Sequence, residues 1–367
     1  MSKGKTTRRY GFEPDYAIPP GESLLETIGS LDMTQADLAL RTGLSTKTTN
    51  EIIKGKAPIT PDTAVRLERV TSVPARMWLA LEGNYREQLA KIADRERLEA
   101  NLEWLKTVPT AELIRRRVID KQPDKASLLH AVLQFFGVSN SERWSELWMK
   151  PHGAFRRSAR FEAKPGAVAT WLRLGELKAR QIETEPYDKA KFVEALGSIR
   201  ELTTEPPDVF QPAIVETARR AGVAVVFIPE IRNCPTSGVA RWLTPTKALI
   251  QLSLRYKTDD QIWFSFFHEA GHVLNDPKKE VFIDDGDSDN ERESRANRFA
   301  ADFLIPREFA RELPSLTSKT AIIEFSSRVR VAPGIVVGRL QKEKILLWPT
   351  PLNKLKRRFK WVDSRGA

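Results

Sequence analysis

A chain of 367 residues, 41% hydrophobic and 29% charged, is long enough for two or three domains and too apolar to be disordered. No apolar run is long enough to span a bilayer and no signal-peptide pattern opens the sequence, so a membrane role is excluded and a cytoplasmic location is expected. The single cysteine, Cys234, rules out internal disulfides and a multi-thiolate zinc site, while a net charge of +11 favours a polyanionic partner.

Residues 1–18 read as a flexible basic arm carrying Lys3, Lys5, Arg8 and Arg9, either solvated or in contact with phosphates. Over residues 19–84 the pattern is one of short helices broken by tight turns. Leu24, Leu25 and Ile28 begin an amphipathic helix, and Thr34 caps a second one with Leu38 and Ala39 as its apolar positions. Gly43 supplies the turn, and Ser45 caps a third helix that ends at Gly55. Two short helices joined through a glycine make a helix-turn-helix, with the second helix offered to the major groove.

The spacing of Gln35, Ala39, Gly43, Leu44 and Ile52 resembles that of lambda-repressor-like (Cro-type) domains. With PPGESLLETI before it and KGKAPITPDTAVRLERV after it, the stretch is similar to the HigA-type antitoxins of that group. The resemblance implies that Thr46, Lys47 and Asn50, with Ser45 at the helix start, face the bases, and that Lys54 and Lys56 lie beside phosphates. It also implies a homodimer on double-stranded operator DNA, with a small toxin as companion. A helix-turn-helix used only for protein contacts is the alternative.

Residues 85–124 form a charged helical connector with a narrow apolar stripe of Leu89, Ile92, Leu98, Leu102 and Leu105. It reads equally as a lever, a dimer seam or a helix lying on the next domain. Amphipathic helices follow from residue 125 to Gly222, with His130 read as a core histidine and His152 as a loop residue lacking a ligand partner. The period then shortens. Strands are expected over 223–229, 237–242 and 247–254, the last half-buried because Ala248, Ile250, Leu252 and Leu254 alternate with Gln251, Ser253 and Arg255. Gly238 to Trp242 is expected to be an edge strand to which an extended substrate adds. The whole is mainly α with a small sheet, an α+β chain.

Thr258 to Asp276 carries His268-Glu269-Ala270-Gly271-His272, an H-E-x-x-H pattern. Residues four apart share a helical face, so both imidazoles reach one ion while Glu269 stands beside a water without being a ligand. Thr258 and Gln261 read as a capping box, Asp259 and Asp260 put negative charge in the first turn, and the helix is apolar nearly all round. A catalytic zinc site needs a third protein ligand. No histidine lies downstream of His272, so a carboxylate is required: Glu293, with Glu291 as the fallback, from a helix on which Glu293, Ala296, Asn297 and Ala300 share a face. The acidic loop with Asp284, Asp285 and Asp287 reads as solvated, since EF-hand spacing is absent.

ALIQLSLRYKTDDQIWFSFFHEAGHVL followed by E-x-x-A-N-x-F-A-A-D-F-L-I-P resembles the ImmA/IrrE family of zinc metallopeptidases. The resemblance implies Zn2+ held by His268, His272 and Glu293, with Glu269 as general base in peptide hydrolysis. On this reading the peptidase domain spans 125–312 and a helical unit spans 313–350. Residues 351–367 form a basic tail, with Lys354, Lys356, Arg357, Arg358 and Lys360 solvated or near phosphate. The combined expectation is a DNA-binding regulator of antitoxin or repressor type carrying a zinc endopeptidase that acts on a helix-turn-helix repressor or on itself. The alternative is an antitoxin-type repressor whose peptidase-like domain senses or binds protein without cleaving it.

Overall fold

The computed structural model describes residues 16–149, 164–278, 282–283 and 291–362. The basic arm up to residue 15, His152, and Asp284, Asp285 and Asp287 lie outside the described residues. The chain divides into two compact units. One runs to Leu102 and includes Asp124–Ser127; the other comprises Glu103–Pro123 and Leu128 onward. Among the described residues no helix is long and apolar enough to cross a membrane.

The first unit holds α1 (Pro20–Ser30), α2 (Gln35–Thr42), α3 (Thr46–Ile53), α4 (Pro61–Thr71) and the long α5 (Ala75–Ala100). Thr34 and Asp37 form a reciprocal capping box at the start of α2, and the Ser45 hydroxyl accepts from Thr48 N at the start of α3. Gly43 between them has φ +68°, the left-handed conformation that only a residue without Cβ adopts at no cost. Leu24, Ile28, Leu38, Ile52, Leu67 and Trp78 fill the core. Leu25 departs from expectation: it lies on the outward face of α1 and is exposed. The connector is less separate than its composition suggests, because α5 runs unbroken from the globular part to Ala100.

The second unit is built on a four-stranded sheet. Its strands are β1 (Val223–Phe227), β2 (Gly238–Thr244), β3 (Lys247–Leu252) and the two-residue β4 (Phe282–Ile283), in the order β1-β3-β2-β4. The β1–β3 pair is parallel, Val225 opposite Ile250; β2 runs antiparallel to both β3 and β4. β3 is therefore central, and it is buried on both faces rather than half-buried as its alternation suggested. The alternating polar residue Gln251 is fully buried and satisfied in part by donating to Trp171 O at 2.7 Å.

Around this sheet, in chain order, stand α6 (Thr110–Arg115), α7 (Lys125–Phe136), the short α8 (Ser141–Trp144), α9 (Pro165–Arg180), α10 (Lys189–Glu201) and α11 (Pro207–Arg219). Then come α12 (Asp259–Asn275), α13 (Glu291–Leu304), the short α14 (Arg307–Ala310), α15 (Lys319–Val329) and α16 (Pro333–Lys342). Two cores result. One face of the sheet, with Ala224, Val226 and Leu249, packs on Trp171, Phe136, Trp144 and Trp148. The other, with Val225, Ile250 and Leu252, packs on α10, α11, α12 and α16. His130 is exposed on α7 rather than a core histidine, because the buried positions of that helix are Ala126, Leu129, Val132, Leu133, Phe135 and Phe136.

Two further expectations change. The Thr258 side chain makes no capping bond, so the T-x-x-Q pattern is not a working capping box. The C-terminal tail is not simply solvated: Lys356 and Arg357 are ion-paired to the buried Asp260 and Asp259 at the start of α12. Both changes follow from one cause, a chain terminus that covers the start of α12.

On the sheet's other face β2 carries a buried charge. Arg241 donates to Leu172 O at 3.0 Å and to Glu176 at 3.3 Å, and Glu176 also pairs with Arg173 and Arg180. A lone charge here is costly, so removing one partner exposes the full penalty. Glu176→Leu is expected to lower unfolding stability by about 3–5 kcal/mol in urea titrations. An unchanged midpoint would show that the pair is not needed.

Candidate metal centre and helix-turn-helix surface

α12 leaves β3 and passes beneath β2, which buries His268, Glu269 and His272 almost completely. α13 crosses it closely where Gly271 leaves room for Ala296 and Phe299. A Cβ on Gly271 would lie 3.3 Å from Ala296 Cα, and Ala296 and Ala300 are buried in the seam. That approach brings Glu293, exposed at only 12% of its side chain, to the two histidines. His268 Nε2 lies 3.1 Å from Glu293 Oε2, and His272 Nε2 lies 3.3 Å from Oε1. The two Nε2 atoms are 3.0 Å apart. Glu291, the fallback ligand, is exposed at the start of α13 and is not part of this cluster.

The rest of each imidazole fixes its tautomer. Asp276 accepts from His272 Nδ1 at 2.6 Å, and because a carboxylate only accepts, that nitrogen carries the proton. Asn297 Oδ1 sits 3.0 Å from His268 Nδ1 and holds it in the same way. Both Nε2 atoms therefore turn lone pairs toward the Glu293 carboxylate. Burial raises the pKa of that carboxylate, but when the two imidazoles are protonated, their hydrogen bonds and charge outweigh it and bring it down to about 2; with neutral rings a cation has to take the place of those protons. Three electron-pair donors converge on one point, which suits a cation. Two nitrogens on a tetrahedral zinc, each about 2.0–2.1 Å from it, stand roughly 3.3 Å apart, close to the separation found here. The donor set thus fits a zinc ion.

The Glu269 side chain lies against the first residue of β2. A Cβ on Gly238 would fall 2.6 Å from Glu269 Oε1. Gly238 is therefore what leaves room for the carboxylate. The edge role expected for Gly238 to Trp242 is narrower than the sequence suggests, because the outer side of β2 is already paired with Ile283 and Phe282 at Val239 and Ala240.

Asp276 and Asn297 join the metal centre beyond the residues the sequence points to, and Gly238 enters it as the space for Glu269 rather than as an edge for substrate. Two of them left a signal: Asp276 follows His272 by four residues and Asn297 follows Glu293 by four, the spacing that stacks side chains along one helical face. Arg295 ion-pairs with Asp276 from α13 and so ties the two helices together behind the imidazoles.

In the first unit, Ser45, Thr46, Lys47, Asn50, Lys54 and Lys56 are all exposed. Thr46, Lys47 and Asn50 lie on α3 opposite the buried Thr49, Ile52 and Ile53. Ser45 serves as the N-cap of α3, so its hydroxyl is engaged with Thr48. Lys47 reaches Glu51 one turn on only loosely, at 4.0 Å.

Partners behind metal-binding histidines typically govern affinity by ten- to a hundredfold. Asp276→Ala is accordingly expected to weaken zinc binding by roughly that factor in competition with a chromophoric chelator. Wild-type affinity in a folded Asp276→Ala protein would remove Asp276 from the site.

A family model for the IrrE N-terminal-like domain, Peptidase_M78, matches residues 219–341, and a helix-turn-helix model matches residues 26–78. No curated protein matches the chain. Among solved structures, a HigA-family addiction module antidote protein from Coxiella burnetii is 33% identical, covering 23% of this chain and 92% of that one, with a TM-score of 0.22. A putative plasmid-maintenance antidote protein from Nostoc punctiforme is 32% identical with the same coverages and TM-score. A third, PA4674 from Pseudomonas aeruginosa solved with its operator DNA, is 33% identical, covering 21% of this chain and 85% of that one, with a TM-score of 0.21. The chain thus carries a region that matches the IrrE N-terminal-like domain over residues 219–341 and, nearer its N-terminus, a helix-turn-helix domain over residues 26–78.

Proposed function

We propose that this protein is a DNA-binding transcriptional regulator of antitoxin or repressor type that carries a zinc-dependent endopeptidase. The observation that carries the peptidase half is the convergence of His268, His272 and Glu293, with the buried Glu269 next to His268 in sequence and given room by Gly238. Zinc bound there supplies Lewis acidity toward a scissile carbonyl and acidifies a water. Glu269 takes the proton of the attacking water and returns it to the leaving amine. Asp276 and Asn297 keep the imidazoles in the tautomer that presents Nε2, and the buried surroundings exclude bulk water from the reacting groups.

The substrate proposed is a helix-turn-helix repressor or this chain itself. For self-cleavage the stretch Arg95 to Leu105 is the proposed target. There α5 persists to Ala100 and a 3-10 turn begins at Leu102, so a peptidase that takes extended chain requires this stretch to unwind first. One observation favours the non-cleaving reading, in which the domain senses or binds protein. The β2 edge where an extended substrate would add is partly taken by the chain's own Phe282 and Ile283.

DNA binding is supported by the helix-turn-helix match and by the polar outward face of α3. Thr46, Lys47 and Asn50 are the proposed base-facing residues, and Lys54 and Lys56 the phosphate contacts, on a homodimer. A small toxin is the proposed companion of the antitoxin-like half.

Purified protein mixed with candidate repressors separates the two readings. Cleavage products with zinc, and none from Glu269→Gln, are expected; intact substrates and an intact chain under all conditions would favour the sensor. For the DNA half, Lys54→Ala is expected to weaken binding evenly across sequences and to flatten the salt dependence by about one unit. Asn50→Ala is expected to cost about 1–3 kcal/mol and to relax preference at one base pair. Binding with unaltered sequence preference in Asn50→Ala would take that residue off the bases.

A further inference from the structure

The first turn of α12 poses an electrostatic problem that its own helix does not solve. Asp259 and Asp260 are adjacent, and both are almost fully buried. Burial pushes the Asp259 carboxyl above its ordinary range, against hydrogen bonding and charge from Arg357. Two neighbouring carboxylates are held out of water only if cations and hydrogen bonds reach them.

The family match ends at residue 341, and the cations come from beyond it. Lys356 Nζ lies 2.6 Å from Asp260 Oδ2 and donates to Gln341 Oε1 at 2.7 Å. Arg357 Nε lies 3.3 Å from Asp259 Oδ2, and its backbone N–H donates to Asp259 Oδ1 at 3.1 Å. The backbones also pair: Asp259 N donates to Arg357 O at 3.0 Å and Phe359 N to Lys257 O at 2.8 Å. The guanidinium of Arg357 continues to the carbonyls of Thr203, Thr204 and Glu205, and Trp361 Nε1 donates to Glu230 at 2.8 Å. α16 is shaped to the same purpose. A Cβ on Gly334 would lie 2.3 Å from Asp259 Oδ1, and one on Gly338 would lie 2.6 Å from Asp260 Oδ2. Two glycines one turn apart thus make the slot that receives the acidic pair.

We infer that the C-terminal segment from Thr350 to Trp361 is a strap that fixes the axial position of the motif helix, and that Lys356 and Arg357 are positioning residues of the metal centre. The inference rests on the zinc reading of His268, His272 and Glu293. His268 lies nine residues beyond Asp259, about 13.5 Å along a rigid helix, so a shift at the helix start is carried to the imidazoles. Glu293 stands on a different helix, α13, so an axial shift of α12 changes its register against them. Loss of the strap thus changes the His–Glu geometry without touching a ligand.

The test uses the full-length protein and Co2+ as a spectroscopic probe, reading affinity and the visible d–d bands together with circular dichroism. Lys356→Met, while folded, is expected to bind Co2+ of the order of tenfold more weakly, with altered bands, and Lys356→Arg to recover both. Should Lys356→Met fail to fold, Asp260→Asn with Lys356→Met removes the uncompensated charge and is expected to show the same weakened, altered binding. Wild-type affinity and bands in either folded variant would overturn the inference, even with a lowered melting temperature. A wild-type protein that binds no Co2+ would overturn the zinc reading itself, and that outcome is read from the unsubstituted chain alone.

Discussion

Two imidazole nitrogens 3.0 Å apart, each with its lone pair turned toward the other and toward a carboxylate, are the constraint on which the second unit depends. Such an arrangement is repulsive unless a cation or a proton lies between the groups. Much of the surrounding structure serves to impose it. Gly271 and Ala296 let two helices approach until Glu293 meets the histidines; Asp276 and Asn297 hold the far sides of the rings; Gly238 yields space to Glu269. A helix of bulky residues in place of α13 would leave the donors too far apart to share one ion.

A second pattern runs through the unit: buried Arg241 and Asp260 each meet a partner from a distant part of the sequence. Arg241 on β2 is met by Glu176 on α9, and Asp260 on α12 by Lys356 near the C-terminus. Removal of one member costs far more than the pair contributes, so these contacts specify where elements sit more than they add stability. Backbone carbonyls complete the arrangement, as with Arg200 donating to Phe303, Leu304 and Val329.

Features with a local cause are legible in the sequence. Thr34, Gly43 and Ser45 place the helix-turn-helix because capping and a positive φ are decided within a few residues. The H-E-x-x-H helix and the small-residue face of α13 were visible through their helical period. Features that a distant segment imposes over the local signal are not legible there. Alternation along β3 suggested a solvated face, but α9 covers it, which no feature of β3 itself announces. Thr258 and Gln261 looked like a cap, and Lys356 and Arg357 like a solvated tail, because each is defined by the other's end of the domain. Gly238 carried no sign of its neighbour Glu269, since the approach of a strand to a helix leaves no period in either.

The two modules have different physical demands. The first unit presents a polar, exposed helix face on a small core, whereas the second buries His268, Glu269 and His272 beneath a sheet. Their union in one chain underlies the proposal of a regulator that joins DNA recognition to proteolysis. The central claim is that the buried triad is a zinc site completed by Glu293. Metal analysis of the purified protein tests it most directly. One zinc per chain is predicted for the wild type and for Glu291→Gln, with loss of that zinc in Glu293→Gln; zinc retained in full by Glu293→Gln, or absent from the wild type, would contradict the account.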